Sequence, residues 1–163
     1  MPVLISYERQ DALLSDRELD MIEKIIEKGL SLAGYDPGAI EVSVALVDDE
    51  KIRQLNRDFR GIDAPTDVLS FPMDDPREPG ALKGPGDAPL LLGDIVVSLE
   101  TARRQGDEFG HGLSREVGYL VAHGLLHLLG YDHEDPRDKA KMREAEERLL
   151  SAFVPREQDD EPS

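Results

Sequence analysis

The sequence contains no cysteine and no tryptophan, and its other aromatic residues are only four tyrosines and four phenylalanines. The absence of cysteine excludes a disulfide framework, thiolate metal ligands and a cysteine nucleophile. The scarcity of aromatic rings excludes an extended array for stacking RNA bases, and no glycine-rich phosphate-binding loop is present. A chain without cysteine suits a reducing compartment, and we expect a cytoplasmic protein.

Basic residues are also few, with 19 Lys and Arg against 35 Asp and Glu, for a net charge of −16 over 163 residues. The chain as a whole should therefore be repelled by nucleic acids and by anionic membranes. A polyanionic substrate would need a local basic patch, a metal or a partner that delivers it. No secretory signal is visible at the N-terminus, and the longest nearly apolar run, 117–130, is too short to cross a membrane. We expect no membrane and no DNA partner.

Local patterns predict the element order helix, strand, helix, strand, loop, strand and three helices. Residues 40–47 alternate between apolar and polar side chains, which is typical of a half-buried strand. Residues 72–89 hold five prolines and three glycines and are expected to form a long irregular loop. Short strands are also predicted at 68–71 and within 93–98. The predicted helix N-caps are Ser15 (with Glu18 as a capping box), Asp48 or Asp49, Ser98, Ser114 and Asp135.

These elements predict an α/β (α+β) fold, in which a small mixed β-sheet packs with about five helices. The helix at 115–129 is apolar nearly all round, so it should be buried at the centre. In the helix that follows Asp48, we expect Ile52, Leu55 and Phe59 to face inward. One domain over 1–154 and a disordered acidic tail over 155–163 complete the expected organisation.

Three of the four histidines fall in the segment HGLLHLLGYDH, at positions 123, 127 and 133. His123 and His127 are four residues apart and share one helix face. Gly130 permits the turn that brings His133 back to them. A lone histidine on an apolar helix is usually a hydrogen-bonded core residue, but three at this spacing favour a divalent metal site with an open position. Zinc suits three imidazoles, and nickel or cobalt would also fit.

The histidine spacing matches the metzincin pattern H-E-x-x-H-x-x-G-x-x-H at every position but one. The glutamate that acts as general base in those proteases is replaced by Gly124. The sequence therefore predicts a metallohydrolase-like domain in which peptide hydrolysis by that mechanism is disfavoured, although another carboxylate could substitute.

Arg53, Arg57 and Arg60 lie on one face of the second predicted helix. We expect Arg53 and Arg57 to form a solvated face balanced by nearby acidic residues. Arg60 differs because it stands at the helix end beside Gly61, where a guanidinium can fork onto a phosphate. Arg103 and Arg104 could widen such a patch.

Other polar residues are weaker candidates. Asp132 is equally compatible with orienting a ligand imidazole and with a plain turn, while Ser70 and Asp94 are equally compatible with lining a cleft and with capping strand ends. His111 is expected to be an exposed loop residue, and Glu116 to lie too far from the histidines to bind their metal.

Three segments together resemble the YbeY family of bacterial ribosomal RNA maturation factors. They are HGLLHLLGYDH at 123–133, LNRDFRGIDAPTDVLSFP at 55–72 and LLGDIVVS at 91–98. The resemblance spans roughly 40–150; we find no family signature in the first 40 residues or in the tail, and the loop at 73–89 departs from the family.

The resemblance implies a metal-dependent, single-strand-specific endoribonuclease that acts in 3′-end maturation of small-subunit rRNA and in ribosome quality control. It implies that His123, His127 and His133 bind zinc and that Arg60 is the functional arginine. The expected partners are the rRNA precursor, the small subunit and assembly factors. The general base is left open between a metal-activated hydroxide and the ribose 2′-OH. Two alternatives stay open: a ribosome-assembly module with a structural metal, and a zinc hydrolase of another substrate class.

Overall fold

A computed structural model of the chain describes residues 3–7, 14–78, 88–131 and 135–151. It has four strands and five helices within that part of the chain. The strands are β1 (Val3–Tyr7), β2 (Ile40–Val47), β3 (Val68–Pro72) and β4 (Leu90–Ser98), and the helices are α1 (Asp16–Leu32), α2 (Asp49–Arg60), α3 (Leu99–Phe109), α4 (Gly112–Leu128) and α5 (Pro136–Leu150). The predicted α/β class is confirmed.

The sheet is mixed, with strand order β1-β2-β4-β3. β1, β2 and β4 run parallel, and the edge strand β3 runs antiparallel to β4. Alternation places Ile40, Val42, Val44 and Leu46 of β2 on one fully buried face, as their spacing predicts. This face packs against the main core, and the opposite face carries a smaller cluster beneath α2 that includes Ile52, Leu69 and Val96.

Helix α4 is the central helix, as its apolar sequence predicts. It packs against α1, α3, α5, β3 and β4, and Val117, Val121 and Leu125 are completely buried. Helix α4 packs closely against α1 because Gly29 has no side chain. A Cβ at this position would lie only 2.4 Å from a methyl carbon of Leu125. His123 and His127 are therefore carried by a helix that is packed into the core.

Most of the predicted helix starts are confirmed. Ser15 and Glu18 form the capping box of α1, and the side chains of Asp48, Ser98 and Asp135 accept backbone hydrogen bonds at the starts of α2, α3 and α5. The prediction that Ser114 is the N-cap of α4 is wrong, because the helix begins at Gly112. Its hydroxyl instead donates to Oε2 of Glu18, 2.5 Å away, and so joins the N-terminal turns of α4 and α1.

Three further expectations need correction. The strand β1 was not predicted; it extends the sheet by pairing with β2. β4 begins at Leu90 rather than Gly93 and is longer than expected. Phe59 was expected to face inward, but it is 69% exposed and packs only its ring against Phe71, with the ring centroids 5.4 Å apart. The predicted tail at 155–163 and most of the predicted loop, 79–87, lie outside the described residues.

Candidate active site

A cleft of about 560 Å³ lies between the edge strand β3 and the central helix α4. It brings together four of the residues predicted to carry the site, Arg60, Ser70, His123 and His127, and it does not include Asp94. Its lining residues are Arg60, Asp67, Val68, Leu69, Ser70, Pro72, Tyr119, Leu120, His123, His127 and Leu128.

The two histidines of α4 point their Nε2 atoms at each other across 3.1 Å. Two nitrogens bound about 2.0–2.1 Å from one tetrahedral zinc would be about 3.3 Å apart. The pair therefore fits two positions around a single divalent ion. The third predicted ligand, His133, and its neighbour Asp132 lie outside the described residues. Within the described ranges, no three His, Asp or Glu side chains form a group that could hold a metal.

His123 has a second contact that the sequence analysis missed. Its Nδ1 lies 3.0 Å from Oε1 of Glu146 on α5, and the carboxylate is almost completely buried. The sequence did hold a signal for this residue. Glu146 stands four residues after Met142 and three before Leu149, on the face of α5 that enters the core. An acidic residue at such a position needs a partner.

Arg60 reaches the cleft from the other wall. It is the last residue of α2, which Gly61 ends in the left-handed conformation at φ 73°. The segment that follows is held by buried Asn56, whose side-chain amide donates to the carbonyl of Ala64 at 2.9 Å. The contacts found within the described residues give Arg60 no acidic partner, and its side chain is exposed.

The other arginines are engaged elsewhere. Arg53 forms ion pairs with Glu50 and Asp63, and Arg57 pairs with Asp58 at 3.2 Å, which confirms the expectation of a balanced, solvated face. Arg104 bonds to the carboxylate of Asp49 at 2.9 Å. Neither it nor Arg103 lines the cleft, so these two arginines, which could have widened the basic patch, do not add to it there.

Gly124 occupies the place of the protease glutamate, and even a Cβ would be crowded there. A Cβ at this position would lie 2.9 Å from Cγ2 of Ile95 and 3.1 Å from Oγ of Ser70. The position faces β3 and β4 rather than open space. Packing therefore disfavours a glutamate at this position, in line with the expectation from the sequence.

Two further polar residues line the cleft without having been predicted. The first is Asp67, whose carboxylate accepts a hydrogen bond from the backbone N–H of Val68 at 2.8 Å.

The second is Tyr119. Burial, reinforced by the negative charges of Glu146, Glu116 and Asp67, raises the pKa of Tyr119 to about 12. Its hydroxyl therefore stays protonated at neutral pH and can donate a hydrogen bond into the cleft.

His111 is not the exposed loop histidine that the sequence suggested. It is partly buried, and its Nε2 lies 2.6 Å from Oε1 of buried Glu116. Glu116 is thus turned toward the start of α4 and does not line the cleft, which agrees with the expectation that it is not a metal ligand.

No helix in the described part of the chain is long and apolar enough to cross a membrane.

Comparison with known proteins gives consistent matches over almost the whole chain. A sequence model described as Endoribonuclease YbeY matches residues 4–154, so the likeness also covers the first 40 residues, in which we found no signature. An Endoribonuclease YbeY of Desulforamulus reducens is 45% identical over 92% of this chain and 95% of its own. One from Symbiobacterium thermophilum is 43% identical over 94% and 97%. A solution structure of a Thermotoga maritima protein has a TM-score of 0.60 at 26% identity, over 98% of this chain and 97% of that one.

Proposed function

Since the chain belongs to the endoribonuclease YbeY family, we propose that it cleaves single-stranded RNA in the cleft between β3 and α4, using a divalent metal ion and Arg60. The observation that carries this proposal is the meeting of Arg60 with His123 and His127 in one cleft. A cation and a pair of converging imidazoles in one cleft suit the binding of a phosphodiester group.

His123, His127 and His133 would hold the ion, with zinc favoured by the all-imidazole donor set. The 3.1 Å separation of the two Nε2 atoms supports this assignment for the first two residues. When bound, a divalent ion there would polarise a phosphoryl oxygen and lower the pKa of a coordinated water.

Arg60 binds the scissile phosphate and stabilises the charge that grows on its oxygens in the transition state. Its position at the end of α2 suits this role, because Gly61 and Asn56 fix the backbone while the guanidinium stays exposed to the cleft. Tyr119 can donate a hydrogen bond to the same substrate.

The substrate we propose is precursor rRNA of the small ribosomal subunit, cleaved at its 3′ end, with a role in ribosome quality control in the cytoplasm. The net charge of −16 supports a substrate delivered by small-subunit or assembly-factor partners, because free RNA is repelled by the chain as a whole.

The decisive experiment compares cleavage of a labelled single-stranded RNA by the zinc-loaded wild type, His127→Ala and Glu144→Gln. Glu144 is exposed on α5 and has no part in the cleft, so it controls for purification and for the loss of a polar contact elsewhere. We expect the wild type and Glu144→Gln to cut equally and His127→Ala to be inactive. Equal behaviour of all three proteins would instead favour a non-catalytic assembly module.

A further inference from the structure

We propose that Glu146 is a positioning residue of the metal centre: its carboxylate holds the Nδ1–H of His123 and so directs Nε2 of that ring to the ion. This inference rests on the proposed function, since it assumes that His123 binds a metal. It adds a residue from α5, outside the histidine motif and outside the cleft lining.

The geometry is that of a carboxylate–histidine pair. Oε1 of Glu146 lies 3.0 Å from Nδ1 of His123, and the opposite ring nitrogen, Nε2, lies 3.1 Å from Nε2 of His127. An ionised carboxylate only accepts hydrogen bonds. The proton of a neutral His123 is therefore placed on Nδ1, which leaves the Nε2 lone pair directed to the point where the two imidazoles converge.

The burial of Glu146 argues that the contact is more than incidental. Only 7% of the residue is exposed, and it stands in the row of Met142 and Leu149 that packs into the core. A buried carboxylate costs stability unless it is paired and hydrogen-bonded. An apolar side chain at this position would satisfy packing alone, so the acidic group is explained by its partner.

The pair also joins the two helices that flank the third histidine in the sequence. α5 begins at Pro136, three residues after His133 in the sequence. The proposed effect of Glu146 on the metal centre acts through the orientation of the His123 ring, whereas the link between α4 and α5 contributes to stability.

The test is zinc affinity measured by competition with a chromophoric chelator, together with the melting temperature of the metal-free protein. Glu146→Gln is compared with Glu144→Gln, which alters an exposed glutamate on the same helix. We expect Glu146→Gln to bind zinc about 10- to 100-fold more weakly, Glu146→Asp to recover part of the loss, and Glu144→Gln to match the wild type. A role confined to pinning the helices would lower the metal-free melting temperature and leave the affinity unchanged.

His123→Ala is included so that failure of this inference can be separated from failure of the metal centre. If His123→Ala loses zinc affinity but Glu146→Gln stays within twofold of the wild type, the positioning role is overturned and the metal centre stands. If His123→Ala binds zinc as tightly as the wild type, the metal centre itself is wrong and the role of Glu146 falls with it.

A measurement without any substitution guards against variants that fail to fold. Long-range ¹H–¹⁵N NMR spectra of the metal-free wild type report which ring nitrogen of His123 carries the proton. A proton on Nδ1 is the expected result. A neutral ring protonated on Nε2 instead would overturn the proposal.

Discussion

The hydroxyl of Ser70 donates a hydrogen bond to the carbonyl of Gly124, 3.2 Å away, and so joins the edge strand β3 to the histidine helix α4. The two residues lie 54 positions apart in the chain, yet their contact fixes the distance between the two walls of the cleft. Gly124 permits this close approach because it has no side chain. The contact and the glycine together hold β3 close to α4 beside the cleft.

Gly124→Ala should destabilise the protein. The new methyl group would meet Cγ2 of Ile95 at 2.9 Å, and overpacking of a core typically costs about 1–3 kcal/mol. From the middle of that range, about 2 kcal/mol, alanine recovers up to about 1 kcal/mol of helix propensity, so we expect a net loss of about 1–2 kcal/mol in the free energy of unfolding, measured by denaturant titration. Gly38→Ala, whose nearest contact is 3.5 Å, serves as the control, and a Gly124→Ala protein as stable as the wild type would refute the packing argument.

Arg60→Ala should lower kcat/KM for RNA cleavage about 10²- to 10³-fold, the usual loss when one donor to a transition-state oxyanion is removed. Because the side chain is exposed, the melting temperature should hardly change. Arg60→Lys should recover activity only in part, since an ammonium cannot fork onto a phosphate. Arg57→Ala, which removes a cation from the same helix but outside the cleft, is expected to cleave normally; equal losses in both variants would point to a general charge effect.

Elements with strong local signals were predictable from the sequence. The alternation of β2 and the side-chain caps at Ser15, Asp48, Ser98 and Asp135 all depend on residues within a few positions of each other, and the structure confirms them. Residues 115–129 are apolar on nearly all sides of the helix, and this was enough to predict that α4 lies at the centre of the fold.

The features that were missed depend on contacts distant in the chain. β1 is only five residues long and is defined by its pairing with β2. Ser114 has the composition of an N-cap, but its hydroxyl is used by Glu18, 96 residues away. Glu146 was visible as an acidic residue on an apolar face, yet its partner 23 residues earlier could be identified only from coordinates.

Removal of the metal should abolish cleavage and leave the fold largely intact. The apolar side chains of α4, including Val117, Val121 and Leu125, are completely buried by α1, α3, α5 and the sheet, so the helix does not depend on an ion for its packing. After treatment with a chelator, we expect the far-UV circular dichroism spectrum to be retained and the melting temperature to fall only by the binding contribution. Loss of the helical signal would identify a structural metal and favour the assembly module.

RNA binding by the isolated chain should be weak and sensitive to salt. Arg60 is the only arginine or lysine that lines the described cleft, and the net charge of −16 opposes approach of RNA. For one or two phosphate contacts on a single strand, affinity should fall about 3- to 7-fold between 50 and 200 mM salt. Fluorescence anisotropy with a labelled oligonucleotide measures this directly, and tight binding that ignores salt would contradict the proposed need for a delivering partner.

Asp49→Asn should remove a pH-dependent contribution to stability. Partial burial raises the pKa of the Asp49 carboxyl, but hydrogen bonds from Ser98, Thr101 and Arg104 outweigh it, so the pKa lies below the usual value. Oδ1 accepts from both hydroxyls at 2.6 Å and thereby joins α2 to the start of α3.

Because the folded-state pKa of this carboxyl is the lower one, its stabilising contribution is complete above the unfolded value of about 3.9 and is lost as the pH falls through the folded value. We expect Asp49→Asn to be about 1–2 kcal/mol less stable than the wild type at pH 7 and the difference to shrink below pH 4. Urea unfolding at a series of pH values checks this, with Asp58→Asn on the exposed face of the same helix as the control. A difference between Asp49→Asn and the wild type that stayed constant down to pH 2 would show that the carboxylate charge plays no part.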